Sequence, residues 1–239
     1  MIAREAIPFT LIGVVLTVVL FLLAARWSNW WLFGLCAAVA MLTLFATYFF
    51  RDPERVIPPG DETLIVAPAD GKVIGIDTVG DVPYVGEKAI KVSIFLSVLD
   101  VHVNRVPISG RVEQVEYKEG EFHAAFMDKA SGLNEQTVIR IKSPMGVGVI
   151  VKQIAGVIAR RIVCNLDEGQ QVKAGERFGL IRFGSRTELF LPIDTRLSVA
   201  LGDHVAGAST LIGYLAGESN PDGQKSSQAA VSRGDDVKL

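Results

Sequence analysis

At 239 residues, 49% of them hydrophobic and with a mean hydropathy of +0.35, the chain has room for one good-sized domain plus an anchor. Lys and Arg number 24 against 26 Asp and Glu, so it is nearly neutral and lacks the basic balance that nucleic-acid binding needs. Two cysteines (Cys36, Cys164) make no disulfide framework, and His102, His123 and His204 lack metal-ligand spacing, so no structural metal is expected.

The apolar excess sits at the N-terminus. Ile7 to Ala25 is 19 residues without a charge, and after Arg26-Trp27-Ser28-Asn29 a second charge-free run, Trp30 to Phe50, spans 21. Each is long enough to cross a hydrocarbon core of about 30 Å as a helix. A cleaved signal peptide is the competing reading, but the first run exceeds a normal h-region and a second follows at once. The short turn predicts an antiparallel hairpin, with Trp27, Trp30 and Trp31 at an interface; a shallower re-entrant hairpin is the alternative. One Arg in the turn against Arg4, Arg51 and Arg55 outside places both ends, and the rest of the chain, on the cytoplasmic side of the inner membrane.

Beyond Ile57, prolines and glycines punctuate short alternating stretches. Strands are expected at Thr63–Val66, Lys72–Ile76, Ala89–Phe95, Gly110–Tyr117, Thr137–Lys142, Gly146–Ile154, Val157–Val163, Arg177–Phe183 and Thr187–Leu191. Helix is confined to a turn or two near Ser97–Asp100 and Phe122–Ala130. The expected fold is mainly β, an antiparallel sandwich or partly closed barrel preceded by the two-helix membrane hairpin. Its divisions are a hairpin over 1–50, a β domain over 51–217 and a disordered tail over 218–239. Gly turns introduce strands three times, at Pro68–Gly75, Glu168–Glu176 and Leu201–Gly207, an echo also met in biotinyl and lipoyl carrier domains.

Gly184-Ser185, between two of these strands, reads in two ways. It is a tight turn or bulge, because Gly reaches positive φ without steric cost. Or it is a self-cleavage site, in which the Ser185 hydroxyl attacks the unobstructed Gly184 carbonyl. β-Elimination of the resulting ester then leaves a dehydroalanine that hydrolyses to a pyruvoyl group. Asp70, between Ala69 and Gly71, reads as an Asx-turn residue. His102 reads as a strand histidine bonded to a backbone carbonyl. His123 and His204 read as polar-loop residues, Arg160 and Arg161 as a solvated edge or a lipid-facing pair, and Lys129 as structural.

The run Phe178-Gly179-Leu180-Ile181-Arg182-Phe183-Gly184-Ser185-Arg186-Thr187-Glu188-Leu189-Phe190-Leu191-Pro192 resembles the processing segment of phosphatidylserine decarboxylases of the short bacterial and archaeal type. Further blocks agree in order: Phe50-Arg51-Asp52-Pro53, Ala67–Gly71, Phe95-Leu96-Ser97 through Pro107, Asn134-Glu135 and Gln153–Gly156. Together they cover roughly residues 50 to 216.

The resemblance implies a zymogen cut between Gly184 and Ser185 into a β chain (1–184) and an α chain (185–239), with Ser185 becoming a self-generated, covalent pyruvoyl cofactor. It implies decarboxylation of membrane phosphatidylserine to phosphatidylethanolamine and CO2 through a Schiff base, in phospholipid biosynthesis, and it allows a homodimer. Asp70 matches the acid of the family's Asp-His-Ser processing triad. Long members carry two histidines in Asp-x-His-x-x-His-x-Pro; this chain keeps His102 but has Arg105 at the second position. The base for cleavage is thus His102, or Asp70, or neither, and the always-cationic Arg105 suits a phosphodiester or carboxylate of the substrate. The rival readings are a non-enzymatic membrane adaptor with a lipoyl-like β module, in which Ser185 stays a serine, and a pyruvoyl decarboxylase of a soluble amino acid.

Overall fold

Both charge-free runs are helices, α1 (Ile7–Trp27) and α2 (Trp30–Phe49), in a computed structural model. It describes residues 2–82, 84–127, 130–157, 162–182 and 184–216; the expectations placed on Phe183, Lys129, Arg160, Arg161 and the tail from 218 lie outside them. Pro8 falls in the first turn of α1, where its missing N–H has no partner to lose. Ser28 ends α1 in the left-handed region (φ 46°), and the Asn29 side chain caps α2 by accepting the Trp31 N–H at 3.0 Å. At 1.5 Å per residue α1 is about 32 Å long. By length and composition both helices can cross a membrane.

Among the described residues fourteen strands follow, with one helical turn, α3 (Ala130–Leu133), among them. They are β1 (Leu64–Val66), β2 (Gly71–Val82), β3 (Gly86–Leu96), β4 (Val103–Arg105), β5 (Gly110–Lys118), β6 (Gln136–Lys142) and β7 (Gly148–Ile154). Then come β8 (Ile162–Cys164), β9 (Gln171–Val172), β10 (Arg177–Ile181), β11 (Ser185–Pro192), β12 (Arg196–Leu197), β13 (His204–Val205) and β14 (Leu211–Tyr214). The fold is mainly β, as the alternation predicts. An antiparallel sheet in the order β13-β2-β3-β11-β7-β6-β5-β9 curls into a half-barrel, and two three-stranded sheets, β4-β10-β8 and β1-β14-β12, pack against it. Ile94, Ile139, Ile141, Phe178, Leu189 and Ile212 fill the space between them. The helical turn expected over 122–130 falls later, at α3, because Asn134 and Arg186 hold the preceding backbone in a loop.

A pseudo-two-fold relates the halves of the large sheet. On one side Val73 N–H bonds to Asp203 O and Gly202 N–H to Val73 O; on the other Val112 N–H bonds to Gln170 O and Gly169 N–H to Val112 O. Ala208 N–H to Ala67 O matches Gly175 N–H to Val106 O. The Gly-turn echo is therefore real, and its missing fourth copy is Pro107–Val112. In this correspondence the hairpin turn at Gly146-Val147 matches Gly184-Ser185, and both glycines have positive φ (79° and 59°). In one half the turn joins neighbouring strands β6 and β7; in the other, residues 97–184 are inserted between the paired strands β3 and β11.

Candidate active site

β11 is bonded along its length to β3 and along most of it to β7, so its first residue, Ser185, is fixed opposite Leu96. Alternation sends Ser185, Thr187 and Leu189 to one face and Arg186, Glu188 and Phe190 to the other. Ser185 and Thr187 are fully buried on the core side. Among the described residues the Ser185 hydroxyl has no hydrogen-bond partner, an uncommon state for a buried polar atom and one that calls for an explanation.

His102, just before β4, meets the residue that precedes this serine. Its Nε2 accepts the Gly184 N–H at 3.3 Å, while Nδ1 donates to the Asp100 carbonyl at 2.9 Å, which puts the proton on Nδ1. The ring packs on Phe49 with centroids 4.1 Å apart and is 2% exposed. Burial pulls its pKa from 6.5 down to about 4, against the Asp100 carbonyl and with help from the charge of Arg51. The imidazole is therefore neutral at pH 7.

The Gly184 carbonyl is held from the other side. Gly184 is left-handed at φ 59° with open space where a Cβ would be, so its glycine is needed for conformation. Gly156, after β7, is needed for room: a Cβ there would collide with the Gly184 carbonyl oxygen. Asn134 holds this neighbourhood, its Nδ2 donating to the carbonyls of Ala155 (2.7 Å) and His123 (2.8 Å) and its Oδ1 accepting the His123 N–H (2.9 Å). On the opposite face of β11 Arg186 clips the same loop, donating to the carbonyls of Met127 (3.1 Å) and Ala125 (3.4 Å) and to Ser93 Oγ (3.3 Å). Its charge is met by Glu188 at 3.1 Å, and Ser131 donates to Glu188 at 2.8 Å. Both charges are buried, but paired and bonded.

Beneath Ser185 lies a second polar group. Gln153 Nε2 donates to Asn104 Oδ1 at 2.8 Å and Asn104 Nδ2 to Thr187 Oγ1 at 3.4 Å, while Gln153 Oε1 is buried without a partner among the described residues. His102 thus meets Gly184, and Asn104, two positions on, meets Thr187, three positions on. Asn104, Gln153, Gly156, Arg186 and Glu188 were not foreseen as site residues. Asn104 and Thr187 had one signal, their i, i+2 relation to His102 and Ser185; a lone polar residue in a strand otherwise reads as outward-facing.

Asp70 and Arg105 stand in other networks. The Asp70 carboxylate accepts both from Arg55 (2.6 and 2.8 Å) and from the Gly207 N–H (2.8 Å). This is the place that Ser109 occupies in the other half, where its hydroxyl accepts the Ala174 N–H at 3.0 Å. Arg105 is paired with Asp52 at 2.5 Å and donates to the carbonyls of Gly175 and Pro53. Among the described residues, neither is bonded to His102 or Ser185.

A buried serine hydroxyl without a partner among the described residues, a neutral imidazole on the preceding amide and a glycine packed against that residue's carbonyl therefore meet at Gly184-Ser185. A profile described as phosphatidylserine decarboxylase matches residues 42–213. The chain is 45% identical over 226 residues to the phosphatidylserine decarboxylase proenzyme of Wolbachia sp. subsp. Brugia malayi, covering 92% of this chain and 93% of that one. Proteins of the same name from Pelobacter propionicus and Syntrophus aciditrophicus are 44% and 47% identical, over 90% and 88% of this chain and 96% of each of theirs.

Proposed function

Because the chain belongs to the phosphatidylserine decarboxylase family, we propose that it is a self-processing, pyruvoyl-dependent enzyme that converts phosphatidylserine to phosphatidylethanolamine and CO2 at the cytoplasmic face of the inner membrane. One observation carries the processing step: the Gly184 N–H rests on His102 Nε2 while the adjacent, buried Ser185 hydroxyl has no partner among the described residues. Neutral His102 takes the Ser185 proton as Oγ adds to the Gly184 carbonyl, then returns it to the Ser185 nitrogen, which leaves as an amine and gives an ester. Loss of the Ser185 α-proton expels the Gly184 carboxylate. The dehydroalanine left on the new chain takes up water and releases ammonia.

The residues present suit the pyruvoyl unit so formed. Ser185 shares the buried face of β11 with Thr187, which is tied through Asn104 to Gln153, and Gly156 leaves room beside residue 184. When formed, the group supplies a ketone for the substrate amine and accepts the electron pair released as CO2 departs. His102 is placed to hold or return a proton there. Asp70 and Arg105 act in this proposal as frame residues, Asp70 fixing the turn at Gly207 and Arg105 bridging to Asp52 at the end of the hairpin. The division at residues 50/51, the two-chain product (1–184 and 185–239) and a homodimer belong to the same proposal.

Intact mass under denaturing conditions tests it. The wild type should give two chains, the smaller starting at residue 185 without a free α-amino group. Ser185→Ala should remain one chain of 25.8 kDa and be inactive. An uncut Ser185→Ala that still decarboxylates phosphatidylserine would falsify the mechanism.

A further inference from the structure

Two arginines beside this site have no acidic partner among the described residues. Arg182 lies between Ile181, whose N–H bonds to the His102 carbonyl, and Gly184, two positions on, whose N–H bonds to His102 Nε2. Its guanidinium lies over the rings of Phe9 in α1 (5.5 Å) and Phe50 at the end of α2 (5.9 Å), and its Nε is buried without a hydrogen bond among the described residues. Arg51 is the next residue after Phe50. It stacks on Tyr48 at 3.9 Å and, among the described residues, its guanidinium donates to the carbonyls of Tyr48 (3.1 Å) and Leu99 (2.7 Å), and its charge is felt at His102. By contrast Arg105 and Arg177 share Asp52, Arg177 also meets Glu5, and Arg55 is neutralised by Asp70.

Arg51 and Arg182 therefore flank His102 at the foot of the hairpin. That is where a spanning helix ends and the headgroup layer begins, and where aromatic and basic residues meet lipid phosphates. A phosphodiester is a monoanion with oxygens that suit guanidinium forks.

We infer that Arg51 and Arg182 bind the phosphodiester of the lipid whose amine and carboxylate reach residue 185. The inference rests on the decarboxylase reading and assigns its headgroup subsite. It makes the phosphate the feature that selects a phospholipid over any other serine derivative, with the acyl chains left along α1 and α2. The cation–π contacts hold Arg182 in place and leave its N–H groups for the ligand.

The test uses the full chain in neutral detergent micelles, with the mass of the α chain measured first. Equilibrium binding of dihexanoyl-phosphatidylethanolamine, read by phosphorus NMR line broadening, reports the subsite without turnover. The apparent KM for phosphatidylserine is compared with that for O-octylserine, which has the amine and carboxylate but no phosphate. Arg51→Gln and Arg182→Gln should each weaken binding and raise the phosphatidylserine KM about tenfold, with the larger share of the change in KM rather than kcat. The preference for phosphatidylserine over O-octylserine should fall by the same factor, and Arg182→Lys should recover part of it.

Unchanged binding, or an equal loss for both substrates, overturns the inference. So does a dihexanoyl-phosphatidylglycerol that binds through the two arginines without competing with phosphatidylethanolamine, since the pair would then serve neighbouring lipids. If Arg182→Gln blocks the cut, Arg51→Gln decides. A wild type that turns over no phosphatidylserine sinks the decarboxylase reading itself, whereas normal wild-type turnover with unaltered variants sinks only the arginine pair.

Discussion

His102 was legible as a candidate residue; its environment was not. Its motif stands in the sequence, but nothing there says that Phe49, 53 positions earlier, lies against its ring. Nor does the sequence show that a neutral imidazole results. The consequence can be measured. Because the folded pKa is lowered, to about 4, the unfolded chain binds the proton first as pH falls. The contribution is fully present above about pH 6.5, declines between 6.5 and 4 and is exhausted below 4; the 2.5-unit difference corresponds to about 3 kcal/mol at most. Urea unfolding of the uncut Ser185→Ala chain should thus show a midpoint that drops between pH 7 and pH 4.5, and adding His102→Gln should remove part of that drop. Self-cleavage of the wild type should stay nearly level from pH 8 to pH 5 and fail near pH 4, where His102 is protonated. Identical stability profiles with and without His102, or a cleavage rate that falls with a midpoint near 6.5, would place the imidazole in water.

At the scale of elements, alternation located most strands, since each half-buried strand carries its own period of two. It missed what depends on pairing. β11 begins at Ser185 rather than Thr187 because Leu96 supplies its partner, a fact held by another strand. The two-fold frame was visible in three Gly turns but not in the fourth, where Ser109 stands in place of an aspartate. That frame also separates two kinds of glycine. Gly184 matches Gly146 and needs only its left-handed φ, so Gly184→Ala faces a strain of about 1–2 kcal/mol with free space around the methyl. Gly156 meets a backbone carbonyl, which cannot swing aside as a flexible side chain would. On the proposed processing, Gly156→Ala should displace the Gly184 carbonyl and slow the cut by roughly 100-fold, the size expected for a misplacement of about 1 Å; Gly184→Ala should slow it less. The rate at which the uncut chain disappears after synthesis reads both. A Gly156→Ala chain cut at the wild-type rate would show that this contact does not hold the carbonyl.

For the whole molecule, the hairpin was read from hydropathy alone, and Phe49 and Phe50 counted simply as its last two apolar residues. The structure uses them otherwise. Ala3, Ala6, Phe49 and Phe50 form one cluster with Val101, Val103 and Leu180, so the foot of the hairpin and the strands around His102 share a core. Ion pairs extend the joint, with Glu5 and Asp52 meeting Arg177, and Asp52 also meeting Arg105. An anchor that only tethered the β domain could be exchanged for any pair of apolar helices. This one supplies the wall that desolvates His102, so its two ends should not be exchangeable. Replacing residues 12–45 with unrelated apolar helices of equal length, and keeping 1–11 and 46–55, should preserve self-cleavage. Replacing the foot as well should leave a chain that still enters the membrane but is cut at least tenfold more slowly, because an imidazole returned to water loses the fixed contact with the Gly184 amide. Phe49→Ala isolates the wall within the native hairpin. It removes a fully buried ring, costs about 3–5 kcal/mol, and should slow the cut while Trp30→Ala at the exposed far turn does not. Equal cutting by the two exchanged chains would reduce the hairpin to a tether and leave the neutrality of His102 to the β domain alone.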